Sequence, residues 1–281
     1  MSKYNLEWNE TKFQAHLKEG RGQGVGTDYK PWLTVRSFPS MGDSNRGNGW
    51  KTNRTHHLLS NMEENYFFLL EWSDEVIDIR EQYPLLDIER AMDIANKIGV
   101  KYPIDKKSGT PYVLTTDFLI TVFEGGREYY IARTVKPSKE LEKMRVLDKF
   151  EIERRYYLEK NIDWAIVTER DIPIQMTKNI EWLHSFYRLE PTERLETDEL
   201  TLLAGLLKDE LSRNSNLLLR NVFNRFDKEH NLNQGTARYL FRHLMARKEI
   251  SMDMNEKIYE GRSASEIIRI NIELGSEEKT V

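Results

Sequence analysis

The sequence contains no cysteine. Disulfides, thiolate zinc sites and cysteine nucleophiles are thereby excluded. No stretch approaches the run of ~18 uncharged apolar residues that a membrane span needs. The N-terminal segment MSKYNLEWNETKF lacks the apolar centre of a secretory signal. The expected address is therefore cytoplasmic. A charge excess of one sign is also missing: 42 Lys+Arg stand against 46 Asp+Glu, a formal net charge of -4. The chain carries no overall cationic footprint of the kind that binds nucleic acid unaided.

What is present is apolar and aromatic material: 39% hydrophobic and 11% aromatic residues over 281 positions. That suffices for packed cores, and the length suggests two domains. Charge is uneven in the second half. Residues 205–248 hold nine Lys/Arg and four Asp/Glu, and residues 249–281 hold four and eight. A basic block followed by an acidic tail predicts two different surfaces.

Residues 18–36 form a glycine-rich loop without the GK[ST] of a phosphate-binding loop. Residues 39–54 read as loop. Residues 60–71 predict a helix with Ser60 as cap, and 75–83 a strand stopped by Pro84. Residues 87–98 predict a helix ended by Gly99. Residues 112–123 and 127–136 predict a hairpin around Glu124-Gly125-Gly126. Residues 138–160 predict one long helix with Leu141, Met144, Leu147 and Phe150 on its apolar side, and 163–168 a last strand. The order predicts an α/β sheet domain over 1–172. Residues 173–281 read as mostly helical: 177–187, 197–212, 216–230 and 234–248, then two short strands, Ile250–Met254 and Ile267–Ile272. Three helices and a hairpin describe a winged-helix-like module. The last nine residues read as disordered.

The hairpin carries the chemistry. Asp117 lies within its first strand and Lys136 at the end of its second. Paired strands lie about 5 Å apart, so acid and lysine approach each other at the open end. An acid, a lysine and a second acid suit metal-assisted phosphodiester hydrolysis. Glu63 is a candidate for the further acid. Ser60-x-x-Glu63 is equally the spacing of a helix capping box. A salt bridge with Lys136 is the structural alternative for Asp117. His56-His57 has no metal-ligand spacing, and a structural or DNA-backbone role is expected. Arg21 and Lys30 in the glycine-rich loop are candidate phosphate contacts or plain loop cations. Arg238 and Arg242 on the last long helix are candidate DNA contacts or a solvated face.

The element order resembles that of restriction-endonuclease-like nucleases, whose usual Glu-x-Lys is here Thr134-x-Lys136. Several segments together resemble the TnsA family, endonuclease subunits of heteromeric TnsABC-type cut-and-paste transposases. They are KEGRGQGVGTDYKPWLTV (18–35), HHLLSNMEENYFFLLEW (56–72), VIDIREQYPLL (76–86), TTDFL (115–119), VKP (135–137), FEIERRYYLEKNIDWAIVTE (150–169) and NIEWL (179–183). The resemblance covers most of 1–185. It implies a restriction-endonuclease-like catalytic domain over 1–172 and a winged-helix-like C-terminal domain with a partner-binding tail over 173–281. It implies catalytic Glu63, Asp117 and Lys136. It further implies two Mg²⁺ ions, replaceable by Mn²⁺, held by Glu63, Asp117 and the carbonyl of Val135. A family glutamine falls at Thr134 and a further acid at Glu153, for which an ion pair with Arg154 or Lys149 is the structural alternative.

The implied partners are double-stranded DNA at transposon ends, a TnsB-like transposase that cuts the 3′ ends and a TnsC-like AAA+ ATPase. The implied activity is hydrolysis at the 5′ ends during excision, at the nucleoid. The alternative is a catalytically weak assembly factor bridging transposase and ATPase.

Overall fold

Gly125 and Gly126 both take left-handed backbone angles, φ 57° and 77°. This two-residue turn matches strand twist and suits glycine. It joins β4 (Thr115–Glu124) to β5 (Arg127–Val135) in the predicted hairpin. The computed structural model describes residues 8–37, 45–267 and 269–270. The chain divides into two units, Met1–Ile172 and Pro173–Val281.

In the first unit α1 (Glu10–Lys18) is followed by the hairpin β1 (Asn45–Asn48) and β2 (Thr55–Leu58). β1 falls within the expected loop 39–54, because NRGN has no strand signal of its own. Then come α2 (Asn61–Trp72), β3 (Val76–Pro84), α3 (Ile88–Lys97), β4, β5, α4 (Met144–Leu158) and β6 (Asp163–Val167). This is the predicted order of a mixed α/β unit. The sheet runs β3-β4-β5-β6, antiparallel except for the β5–β6 pair. A parallel pair needs a crossover, and α4 supplies it.

Alternation along β4 sorts side chains between the faces. Phe118 meets the ring of Tyr66 on α2. Its neighbour Leu119 joins Ala132, Ala91, Ile94, Ile152 and Tyr157 in a core under α3 and α4. The predicted helix over 138–160 is corrected. A 3₁₀ turn spans Ser138–Glu142, Lys143 is extended, and α4 starts at Met144. Phe150 is buried as expected, but Met144 and Leu147 are exposed, and α4 also buries Ile152, Glu153, Tyr156 and Tyr157. The break at Lys143 turns Met144 and Leu147 off the face that Phe150 keeps.

β2 is tied to β3 by a buried ionic network. Arg54 donates to both oxygens of Glu81, at 2.8 and 2.5 Å, and to the Ile79 carbonyl. His56 Nδ1 lies 2.8 Å from Glu81 and its Nε2 lies 2.7 Å from the Thr52 hydroxyl. Burial alone would raise Glu81, but His56 and Arg54 outweigh it and hold the carboxyl far below the usual range. His56 is thus structural.

The second unit holds α5 (Ile174–His184), α6 (Thr197–Arg213), α7 (Leu219–Glu229) and α8 (Thr236–Ala246). Leu203, Leu207, Phe223, Phe226, Phe241 and Leu244 form its buried apolar faces. The first predicted terminal strand shortens to β7 (Ile250–Ser251), and of the second the described residues include β8 (Arg269–Ile270), antiparallel to β7, with the four-residue α9 (Ala264–Ile267) between them. The last nine residues, expected to be disordered, lie outside the described residues.

Candidate active site

Ser60 is extended and its hydroxyl accepts the Glu63 N–H at 3.2 Å, which starts α2. The Glu63 carboxylate turns back, accepting the Leu59 N–H at 2.8 Å and the Ser60 hydroxyl at 3.0 Å. It also points inward, because Glu63 shares a helix face with the buried Phe67 and Leu70. The capping and site readings of Glu63 therefore hold together.

Asp117 lies where the β4–β5 ladder stops. The last pair is Phe118–Arg133. Beyond it the Asp117 carboxylate itself takes the next N–H, that of Val135, at 2.7 Å. An N–H and C=O of one strand residue leave the same edge, so the Val135 carbonyl faces this edge too. The Lys136 N–H bonds the opposite way, to the Val167 carbonyl of β6 at 2.9 Å.

The two acids meet at a residue that sequence reasoning missed. Gln82 Nε2 lies 3.2 Å from Glu63 Oε2 and 3.5 Å from Asp117 Oδ1, the latter at the limit of hydrogen bonding. Glu153 is also nearby and buried. Its Oε2 accepts the Thr134 hydroxyl at 2.8 Å and the Thr116 hydroxyl at 3.2 Å. The surface ion pair expected for Glu153 is thus corrected: Arg154 bonds Glu151 instead. The signal was available, since Phe150, Glu153 and Tyr157 share a helix face and all are buried.

The electrostatics are those of crowded acids. Burial, then the charge of Asp117, push Glu63 well above the ordinary carboxylate range, while Lys136 pulls against them. Burial also raises Asp117, against the Val135 N–H, Lys136 and Gln82. Burial and then Asp117 push Glu153 up to about 8. Such sites favour a positive charge between the acids. Among the described residues no three His, Asp or Glu side chains are grouped to hold a metal ion. Two converging carboxylates and a facing carbonyl still fit Mg²⁺, which keeps waters and takes one or two carboxylates plus substrate phosphate oxygens.

The other candidate cations have partners. Arg21 pairs with Glu19 and donates to the Trp32 carbonyl, and exposed Lys30 donates to the Glu19 carbonyl. Arg238 makes a two-pronged pair with Glu260, at 2.6 and 2.8 Å. The Arg242 guanidinium stacks over Trp182 at 4.1 Å and Phe186 at 4.7 Å.

Comparison with known proteins identifies the family of the chain. Residues 73–169 match the family described as TnsA-like endonuclease N terminal, and residues 171–254 match TnsA endonuclease C terminal. Asp117, Lys136 and Glu153 lie inside the first match, and Glu63 precedes it. Over 214 residues the chain is 42% identical to the transposon Tn7 transposition protein TnsA of Escherichia coli, covering 76% of this chain and 77% of that protein. Two adjoining family matches and this identity show that the chain belongs to the TnsA endonuclease family.

Proposed function

We propose that this protein is the metal-dependent DNA endonuclease subunit of a cut-and-paste transposase, hydrolysing the phosphodiester at the 5′ ends of the transposon. The observation that carries the reading is the convergence of Glu63 and Asp117 on one point, held by three different elements, with the charge of Lys136 acting on both. Glu63, Asp117 and the Val135 carbonyl would hold Mg²⁺ or Mn²⁺. The bound cation supplies a lowered water pKa and neutralises phosphate charge. The family pattern has two ions, and the Thr134 hydroxyl, bonded to Glu153, stands where the family glutamine would be. Lys136 orients the attacking water and stabilises the charge that builds on the phosphoryl oxygens. Asp117, fixed by the Val135 N–H, keeps the acid in register with that lysine.

In this reading the second unit is winged-helix-like, with α6, α7 and α8 followed by the β7–β8 pair, and α8 facing DNA. A TnsB-like transposase would cut the 3′ ends and a TnsC-like AAA+ ATPase would dock on the acidic C-terminal region. Near-balanced charge suits an enzyme delivered to DNA by such partners. The test is strand-resolved cleavage of a labelled transposon-end plasmid with Mg²⁺, transposase and ATPase. Asp117→Ala is expected to lose the 5′ cut and spare the 3′ cut. Retained 5′ cutting would sink the assignment and favour a scaffold.

A further inference from the structure

The glycine-rich stretch 18–36 has no task in the proposed chemistry, and its contacts lead to Gln82. The Trp32 N–H donates to the Gln82 carbonyl at 3.2 Å, and Trp32 is fully enclosed. Arg21 holds the Trp32 carbonyl at 3.1 Å. Gly22, at φ 75°, lies so close to Pro84 that a Cβ there would come within 2.3 Å of the proline ring. Tyr29 of the same loop donates its hydroxyl to the Glu81 carbonyl at 3.0 Å, so the loop is fastened to the end of β3 at Glu81, Gln82 and Pro84.

Gln82 itself has φ 48° inside a strand. A buried non-glycine residue holds this left-handed conformation only where its surroundings dictate it, and such residues cluster at functional sites. The pairs Glu81–Phe118 and Tyr83–Thr116 set Gln82 opposite Asp117. The kink carries its amide between the two acids, at 3.2 Å from Glu63 and 3.5 Å from Asp117. Its other end, Oε1, accepts the Thr115 hydroxyl at 3.4 Å.

An amide has a donor end and an acceptor end, and half a turn of its last torsion exchanges them. Two carboxylates without a cation require the donor end. A cation between them requires an oxygen. Thr115 tolerates either orientation, because a hydroxyl both donates and accepts. We propose that Gln82 is a charge-reading amide of this site: its NH₂ braces Glu63 and Asp117 before the metal arrives, and its Oε1 serves as a further oxygen donor once the metal is present. The glycine-rich loop keeps it in place for both. This rests on the metal-nuclease reading above.

The experiment is Mn²⁺ titration of the full chain by calorimetry, with the thermal midpoint of each metal-free protein measured alongside. Wild type is compared with Asp117→Asn, Gln82→Leu and Gln82→Glu. Gln82→Leu is expected to weaken Mn²⁺ binding by about ten- to a hundredfold, the range for residues that support a metal centre. Gln82→Glu is expected to lower the metal-free midpoint, because a third carboxylate joins the pair, and to bind Mn²⁺ at least as tightly as wild type. If Gln82→Leu does not fold, Gln82→Asn replaces it with the same expectation: asparagine tolerates this backbone but its amide is one methylene short. Wild-type binding that Asp117→Asn abolishes but Gln82→Leu leaves unchanged would overturn the role of Gln82 alone. No Asp117-dependent Mn²⁺ binding in wild type would overturn the metal reading, and this inference with it.

Discussion

The Asp117 carboxylate accepts the N–H of Val135, the residue before Lys136, at 2.7 Å. One side chain thus finishes the β4–β5 ladder and positions an acid beside a lysine. Burial makes that acid costly, as its raised pKa records. Asp117→Asn keeps an oxygen for Val135 and removes the charge, whereas Asp117→Ala leaves the N–H without its acceptor, a loss of about 1–3 kcal/mol. Both variants are expected to lose 5′-strand cleavage, and the asparagine variant is expected to melt higher than the alanine variant at pH 7. Cleavage by Asp117→Asn at the wild-type rate would remove the carboxylate from the chemistry.

Lys136 acts on both acids through its charge and opposes the rise in their pKa values. Lys136→Ala is expected to slow single-turnover cleavage by about a hundredfold or more, the loss seen when one stabilising donor is removed from a transition state. Lys136→Arg keeps the charge but not the compact ammonium, and recovers little of that rate. Equal rates for Lys136→Ala and wild type would confine the lysine to structure.

Glu153 makes the stability of the first unit depend on pH. Its folded-state value is about 8, against an ordinary value of 4.5. An acid with a raised pKa binds a proton more tightly folded than unfolded, so its contribution is favourable below about 4.5 and is lost as pH rises towards 8. Glu153→Gln cannot ionise and keeps an acceptor for Thr134 and Thr116. The gain in thermal midpoint over wild type is expected to be larger at pH 8 than at pH 5. An equal gain at both values would mean that Glu153 is ionised throughout.

The hairpin arithmetic that brings Asp117 to Lys136 was legible because two adjacent glycines fix the turn and the register follows from it. Glu63 and Glu153 were half legible. Each sits on a helix face among buried aromatics, yet one also fits a capping box and the other stands in the charged run EIERR. Gln82 was not legible. Nothing in the residue type glutamine announces φ 48°, and the N–H that meets its carbonyl, that of Trp32, lies some fifty residues earlier in the chain. The break before α4 was hidden for a similar reason. The apolar spacing of Leu141, Met144 and Leu147 suits a helix face, but tertiary packing turned Met144 and Leu147 outward.

The Arg54–Glu81–His56 network holds β2 against β3 with every charge buried. Breaking one partner strands the others in a poorly solvated place, at about 3–5 kcal/mol. Arg54→Met is expected to lower the urea midpoint of the chain by a corresponding amount. Glu81→Gln should do the same, since it leaves Arg54 buried without a countercharge. An unchanged midpoint in both would show that the network is compensated elsewhere.

Arg238 and Arg242 lie four residues apart on α8, but their surroundings predict different behaviour. Arg238 is bound to Glu260, and its side chain retains 44% exposure. A phosphate would therefore compete with Glu260 for it. Arg242 is stacked on Trp182 and Phe186, where a cation over an aromatic face contributes about 0.5–2 kcal/mol. If α8 faces DNA as proposed, Glu260→Gln frees Arg238 and is expected to tighten binding. Arg238→Gln is expected to reduce the slope of log affinity against log salt by about 0.9, the share of one phosphate contact. Arg242→Gln is expected to lower the thermal midpoint with the salt slope unchanged. Salt-dependent titration of a labelled duplex separates these cases. Three identical slopes, together with unaltered affinity in Glu260→Gln, would move the DNA interface off α8 altogether.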